Sequence, residues 1–329
     1  MGQIQHLIKA TQLSLEDINE WLQKAESFEK KLKEEPEKLN ELERIVVGSI
    51  FCEESTRTRF CLERAAHNLR ASVIGTENAA IFSAMAPGKE ESLEDTIKVI
   101  SGFQSHHLRL VDIIILRHPE IGAAEKAAKV SGVPLINAGD GKYHPTQTLT
   151  DLLAFLKFLG RLNDLTVAFV GDLLNSRIIE EDVILFSYFP GFRPIFVSPP
   201  GLGIEERLRS FLVQRGIKFD ETDDIREVIC DCDAGYIVRV QKNRIKDPEQ
   251  LSVYQKNRDN VAVTQEVYDM TEKRGTLFFH PMPVSSVEKE IRPEVVDLLR
   301  VKMYQQANLK VLIGMVALTE LWRTYKATH

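Results

Sequence analysis

The densest cluster of chemically useful side chains lies at residues 51–59, Phe51-Cys52-Glu53-Glu54-Ser55-Thr56-Arg57-Thr58-Arg59. An apolar run, 45–51, precedes it and a helical pattern follows, so the cluster sits at a strand-to-helix turn. The first turn of a helix carries unpaired N–H groups and a partial positive charge. Ser55, Thr56 and Thr58 add hydroxyls, and Arg57 with Arg59 adds guanidinium groups. Together they make an anion site, most naturally for phosphate. A plain Ser/Thr N-cap beside surface arginines is the simpler alternative. It would suffice for a lone Ser-Thr-Arg, and less well for successive polar donors at one turn.

Further donors follow other apolar runs. Arg117-His118-Pro119 comes after 112–116, and Asn137-Ala138-Gly139-Asp140-Gly141 after 133–137. His144-Pro145-Thr146-Gln147 opens the next helix. His118 reads equally well as a donor or as a structural histidine. In the second half, Gly171-Asp172 leads to Arg177, and Tyr236-Ile237-Val238 leads to Arg239-Val240-Gln241-Lys242. Leu277-Phe278-Phe279 leads to His280-Pro281-Met282-Pro283. Two arginines at such loops form a fork suited to a dicarboxylate; two interdomain salt bridges are the plainer reading.

These residues need elements to hold them. Strands are expected at 45–51, 72–74, 112–116 and 133–137, with helices at 57–69, 92–103, 120–129 and 146–159 between them. The rhythm then restarts. Strands are expected at 165–170, 195–197, 218–219, 236–240 and 277–279. Helices fall around 177–188, at 205–215 and at 304–325. A charged helical stretch covers 12–44. Alternating strand and helix with nearly all-apolar strands predicts an α/β fold of two Rossmann-like domains with mainly parallel sheets. The expected domains are 1–150, joined by the C-terminal helix within 303–329, and 151–302. In such sheets, ligands sit beyond the carboxyl ends of the strands.

The sequence resembles the catalytic chains of the aspartate carbamoyltransferase family from about residue 13 to 321. The resemblance rests on F-x-E-x-S-T-R-T-R at 51–59, N-A-G-D-G…H-P-T-Q-T-L-x-D at 137–151, R-V-Q-K at 239–242 and H-P-x-P at 280–283. Glu53 and H-P-x-P distinguish it from the ornithine-specific relatives, which usually carry a lysine and H-C-L-P. The resemblance implies transfer of a carbamoyl group from carbamoyl phosphate to L-aspartate, an early step of pyrimidine synthesis, without a cofactor. It implies a C-terminal helix packed on the first domain and a homotrimer with active sites between subunits.

It also implies roles. Ser55, Thr56, Arg57 and Thr58 hold phosphate, while Thr58, Arg117 and His144 point at the carbonyl oxygen. Gln147 orients the carbamoyl NH₂. Arg177, Arg239 and Gln241 hold the aspartate carboxylates. Met282 and Pro283 belong to the loop after the last strand. Glu53 is expected to tie Arg177 to Arg244. Lys89 matches the loop that reaches a neighbouring subunit, with Ser83 as the candidate for that loop's serine, whose usual place is taken by Met85.

The acceptor side departs from the family pattern. Leu173-Leu174-Asn175-Ser176 and Ile178-Ile179-Glu180-Glu181-Asp182 flank Arg177, bringing three acids beside it. Near the end, the usual N-G and downstream arginine read Asn308-Leu309 and Gly314. Two other readings therefore stand beside aspartate transfer: a carbamoyltransferase for another amino acceptor, and a weakly active scaffold.

Composition narrows the classes. The chain has 329 residues, 27% charged, with a net charge of −6. This argues against a nucleic-acid binder held by a bulk positive field and leaves room for a local basic pocket. No apolar run is long enough to cross a bilayer, and no secretory signal is visible. No G-x-G-x-x-G follows a strand, which argues against a dinucleotide-dependent dehydrogenase. Cys52, Cys61, Cys230 and Cys232 lack zinc-site spacing and read as reduced, buried thiols of a cytoplasmic protein. No metal is expected. A regulatory chain or a dihydroorotase is the kind of partner this family would bring.

Overall fold

A computed structural model describes residues 4–77, 91–240 and 248–328. The chain divides into two compact units, residues 1–153 with 308–329, and residues 154–307.

The first unit is built on a parallel four-stranded sheet. Its strands are β1 (Val46–Phe51), β2 (Ser72–Glu77), β3 (Ile113–Arg117) and β4 (Leu135–Asn137), in the order β2-β1-β3-β4. Ile113, Ile114, Ile115 and Leu116 are all fully buried. A parallel sheet covered on both faces needs such a run, since both alternating side-chain sets meet packing. Leu7 extends the β4 edge by a parallel bridge to Ile136. Helices Thr56–Asn68, Leu93–Ile100, Ala123–Val130 and Pro145–Leu159 follow the successive strands.

The expected charged helix at 12–44 is shorter than its pattern. It runs Leu15–Glu34, opened by Ser14, whose hydroxyl accepts from the Asp17 N–H. Pro36 ends it, because the residue before a proline is driven out of the helical region; Glu35 lies at φ −145°, ψ 53°. Ser92 caps helix Leu93–Ile100 in the same way, accepting from the Asp95 N–H.

The C-terminal helix, Met303–Thr328, packs on the first unit along most of its length. Asn68 donates to the Met315 sulfur at 3.7 Å, and Lys24 pairs with Glu320 at 2.8 Å. The closest approach is at Gly314. A Cβ there would lie 2.8 Å from the Ala65 Cβ and 2.9 Å from a Leu62 methyl.

The second unit holds a parallel five-stranded sheet, β7-β6-β5-β8-β9. Its strands are β5 (Thr166–Gly171), β6 (Arg193–Val197), β7 (Asp220–Thr222), β8 (Ala234–Val238) and β9 (Leu277–Phe279). Phe155, Phe186 and Phe279 form a buried aromatic stack, with ring centroids 4.8 and 4.3 Å apart. The strand expected at 218–219 is displaced to β7, at the sheet edge. Asp220 and Glu221 are exposed there, so the apolar signal that marks the other strands is missing. Helices Pro248–Lys256 and Gln265–Met270 were not anticipated from the sequence.

Candidate functional site

In the first unit, residues 52–55 link strand β1 to helix Thr56–Asn68, so the polar cluster lies at a strand-to-helix turn. Ser55 is the N-cap of helix Thr56–Asn68, yet its hydroxyl makes no capping bond. The first-turn amides are thus left to another acceptor, the arrangement that favours a bound anion. Thr56 and Arg57 are exposed, Ser55 is half-buried and Thr58 is buried. Arg59 is committed elsewhere: its Nε donates to Glu63 Oε1 at 2.7 Å, and Ser49 Oγ donates to the same oxygen at 2.8 Å. Arg57 is therefore the guanidinium that the turn presents to solvent.

Arg117 ends β3 and is held from two sides. Its Nη2 pairs with Glu53 Oε2 at 2.7 Å, and its Nη1 donates to the Ala138 carbonyl at 3.1 Å. The guanidinium lies against Gly139, where an added Cβ would sit 2.4 Å from Nη1 and 3.3 Å from the His144 ring. Gly139 adopts φ +113°, and its N–H donates to Asn137 Oδ1 at 2.9 Å. A side chain at 139 would meet both a strained backbone and the arginine. The glycine is what lets Arg117 and His144 come together.

His144 precedes helix Pro145–Leu159, and its carbonyl accepts from the Gln147 N–H at 2.8 Å. Its Nδ1 lies 3.2 Å from Thr146 Oγ1. With the threonine hydroxyl donating, Nδ1 accepts and Nε2 carries the proton, the tautomer that can donate to a carbonyl oxygen. His118 takes the structural reading. Its Nδ1 accepts from the Glu120 N–H at 3.1 Å, and burial first of all lowers its pKa.

Gln147 is buried and its amide is fixed at both ends. Nε2 donates to Asp151 Oδ1 at 2.8 Å, and Oε1 accepts from Lys310 Nζ at 2.5 Å. Lys310 was missed at the sequence level. It lies on the C-terminal helix, far from any motif, and only packing brings it here. Asp151 was visible only as the last letter of the 137–151 motif.

In the second unit, Asp172 ends the turn after β5 and accepts from the Asn175 backbone and side chain at 3.0 and 2.9 Å. Arg177 follows on this loop and is half-buried. Glu180 pairs with Arg207 at 2.6 Å, and Glu181 and Asp182 are buried. Arg239 is exposed just past β8. Its charge lowers the pKa of Glu290, which burial chiefly raises from its ordinary value. His280 Nδ1 accepts from the Met282 N–H at 2.8 Å, and the His280 N–H donates to Gln306 Oε1 at 2.9 Å. Met282–Pro283 is a cis peptide.

Comparison with known proteins decides the family. Residues 5–157 match the model of the aspartate/ornithine carbamoyltransferase carbamoyl-P binding domain, and residues 163–321 match that of the Asp/Orn binding domain. The chain belongs to the aspartate/ornithine carbamoyltransferase family. The aspartate carbamoyltransferase catalytic subunit of Methanocaldococcus jannaschii is 37% identical over 97% of this chain and 98% of its own. That of Clostridium novyi is 35% identical over 98% and 99%. The solved catalytic subunit from M. jannaschii superimposes with a TM-score of 0.85 at 36% identity, covering 97% of this chain and 98% of that one. Aspartate transcarbamoylase from Trypanosoma cruzi, solved with carbamoyl phosphate, gives 0.85 at 25% identity, over 96% and 95%.

Set against this carbamoyltransferase framework, some expectations fall elsewhere. Ser83, Met85, Lys89, Gln241 and Arg244 lie outside the described residues. Glu53 forms an ion pair with Arg117, and its expected link between Arg177 and Arg244 on closure involves Arg244, outside the described residues. The thiols are not uniformly buried: Cys232 is, Cys52 and Cys61 are half-buried, and Cys230 is exposed. Among the described residues, no cluster of three His, Cys, Asp or Glu side chains could hold a metal ion.

Proposed function

We infer that this chain is an aspartate carbamoyltransferase, converting carbamoyl phosphate and L-aspartate to N-carbamoyl-L-aspartate and phosphate. The observation that carries the reading is the meeting of Arg117 and His144 over Gly139, within a unit whose phosphate turn is left uncapped.

In this reading, the Ser55–Thr58 turn and Arg57 hold the phosphate of the donor. Thr58, Arg117 and His144 face the carbonyl oxygen. Gln147 orients the carbamoyl NH₂. Arg177, Arg239 and Gln241 take the two carboxylates of aspartate. The aspartate amine attacks the carbamoyl carbon, and negative charge grows on the oxygen. Removing a preorganised donor to such an oxygen typically costs about 3–4 kcal/mol. The C–O bond to phosphate then breaks, the amine loses a proton, and phosphate leaves. Holding both reactants in line supplies much of the remaining acceleration.

The pairing of Glu180 with Arg207 supports aspartate over a cationic acceptor, because that acid is not left to repel a dicarboxylate. A homotrimer is part of the same reading. Exposed Phe60, Val99, Phe103, Leu108 and Leu110 on the first unit support a self-interface. We also place the protein in the cytoplasm. The absence of disulfides among its four cysteines supports a reducing compartment. No helix among the described residues is long and apolar enough to cross a membrane.

The test is steady-state phosphate release with each substrate varied and a panel of amino acceptors. Release should require carbamoyl phosphate and L-aspartate together, with aspartate the best acceptor. Arg57→Ala should lower kcat/KM by roughly 100- to 1,000-fold while leaving the melting temperature nearly unchanged, because the side chain is exposed. Wild-type protein that turns over another amine faster than aspartate would overturn the acceptor assignment.

A further inference from the structure

The C-terminal helix brings a basic group into the carbamoyl-phosphate unit that none of the roles above uses. Lys310 is 6% exposed. Its helix neighbours Leu309, Leu312 and Ile313 are also buried. An ammonium is expensive to bury unless it is bonded and compensated. Lys310 is bonded: Nζ donates to Gln147 Oε1 at 2.5 Å, and Gln147 Nε2 donates to Asp151 Oδ1 at 2.8 Å. A lysine can only donate and an ionised carboxylate can only accept. The Gln147 amide is therefore locked in one of its two flip states.

The helix reaches this depth because of Gly314, one turn further on. With no side chain at 314, the helix lies directly on Leu62 and Ala65 of helix Thr56–Asn68. The charged and titratable groups acting on Lys310 come from three elements. They are Arg57 and Cys61 on helix Thr56–Asn68, Arg117 at the end of β3, and Asp151 on helix Pro145–Leu159. Two of them, Arg57 and Arg117, are the cations assigned to the donor substrate.

We propose that Lys310 is a positioning residue for carbamoyl phosphate, holding the Gln147 amide in the orientation that meets the carbamoyl NH₂ and adding its charge to the field of Arg57 and Arg117. This rests on the carbamoyl-phosphate reading above. Burial pushes the Lys310 ammonium down to about 8, with Cys61 and Asp151 pulling it back up and the two arginines lowering it further. The charge is thus present below about pH 8 and lost above it.

The experiment compares the full-length wild type with Lys310→Met, Gln147→Met and the double variant. Lys310→Met should raise KM for carbamoyl phosphate roughly 10- to 100-fold, the effect of losing a charge-assisted hydrogen bond. KM for aspartate at saturating donor should hardly move. Added to Gln147→Met, the second substitution should cost little more, because it acts through the same amide. Calorimetric titration of wild type with inorganic phosphate should show affinity falling as pH rises through about 8; the Lys310→Met profile should be flat there. A folded Lys310→Met with the wild-type KM for carbamoyl phosphate, or full additivity with Gln147→Met, would overturn the proposal. If Lys310→Met does not fold, a wild-type phosphate affinity unchanged across that pH would do the same. Absence of turnover with aspartate, by contrast, strikes the functional reading and leaves the phosphate titration to judge Lys310.

Discussion

At the scale of single residues, the groups that were readable in sequence share one property: each lies at the end of an apolar strand or on the loop and helix start that follow it. Arg117 closes β3, and His144 and Gln147 open a helix after β4, so position along the chain already gave their place. Lys310 has no such marker. A lysine within a long helix looks like a solvated side chain, and only the packing at Gly314 turns it inward. The cysteines show the same limit. Their types suggested four inert thiols, but exposure separates them. Burial pushes the Cys52 thiol up to about 11 and Cys232 up to about 12. The thiolate is the reacting species, so raising the pKa suppresses reaction at neutral pH. Cys230 is exposed and should react first with iodoacetamide. Mass spectrometry of briefly treated protein should find the label on Cys230, with Cys52 and Cys232 modified only as pH is raised. Because Cys230 precedes the N-terminal end of β8 while Arg239 follows the C-terminal end of that strand, turnover should survive the first label. Rapid inactivation with label on Cys52 would contradict this.

At the scale of elements, the parallel strands were legible because burial on both faces demands continuous apolar runs, as at Ile113–Arg117. What failed was the edge. β7 is Asp-Glu-Thr, held by backbone pairing to β6 and not by any core side chain. Helices Pro248–Lys256 and Gln265–Met270 are short, and a short amphipathic stretch gives too few turns to show a period. The C-terminal helix was legible as a helix, but its fit against Thr56–Asn68 was not. That fit makes a prediction. In Gly314→Ala the new methyl meets the Ala65 Cβ at 2.8 Å, backed by the rigid helix on which Ala65 sits. Overpacking of this kind costs about 1–3 kcal/mol, which urea denaturation would read as a lowered midpoint at unchanged slope. The helix should also shift outward and carry Lys310 with it, so KM for carbamoyl phosphate should rise in the same variant. A Gly314→Ala protein with unchanged stability would mean that the two helices do not pack this closely.

At the scale of the whole molecule, the division of labour between chains becomes testable. The proposed phosphate turn lies within one unit, yet the family resemblance assigns Lys89 to a neighbour's site. If both assignments hold, a site needs Arg57 from one chain and Lys89 from the next. Arg57→Ala and Lys89→Ala should each be nearly inactive alone. After the two variants are unfolded, mixed in equal amounts and refolded together, some sites will draw Arg57 from the Lys89→Ala chain and Lys89 from the Arg57→Ala chain. In a closed ring each site has one donor of each part, so random mixing should restore about a quarter of wild-type sites. Sedimentation should show the mixture at the mass of three chains. Recovery of activity requires a shared site, because two defective self-contained sites cannot repair each other by mixing. No recovery from a mixture that sediments as a trimer would place Lys89 outside the neighbour's site, and leave the turn, Arg117, His144 and Gln147 to act within a single chain.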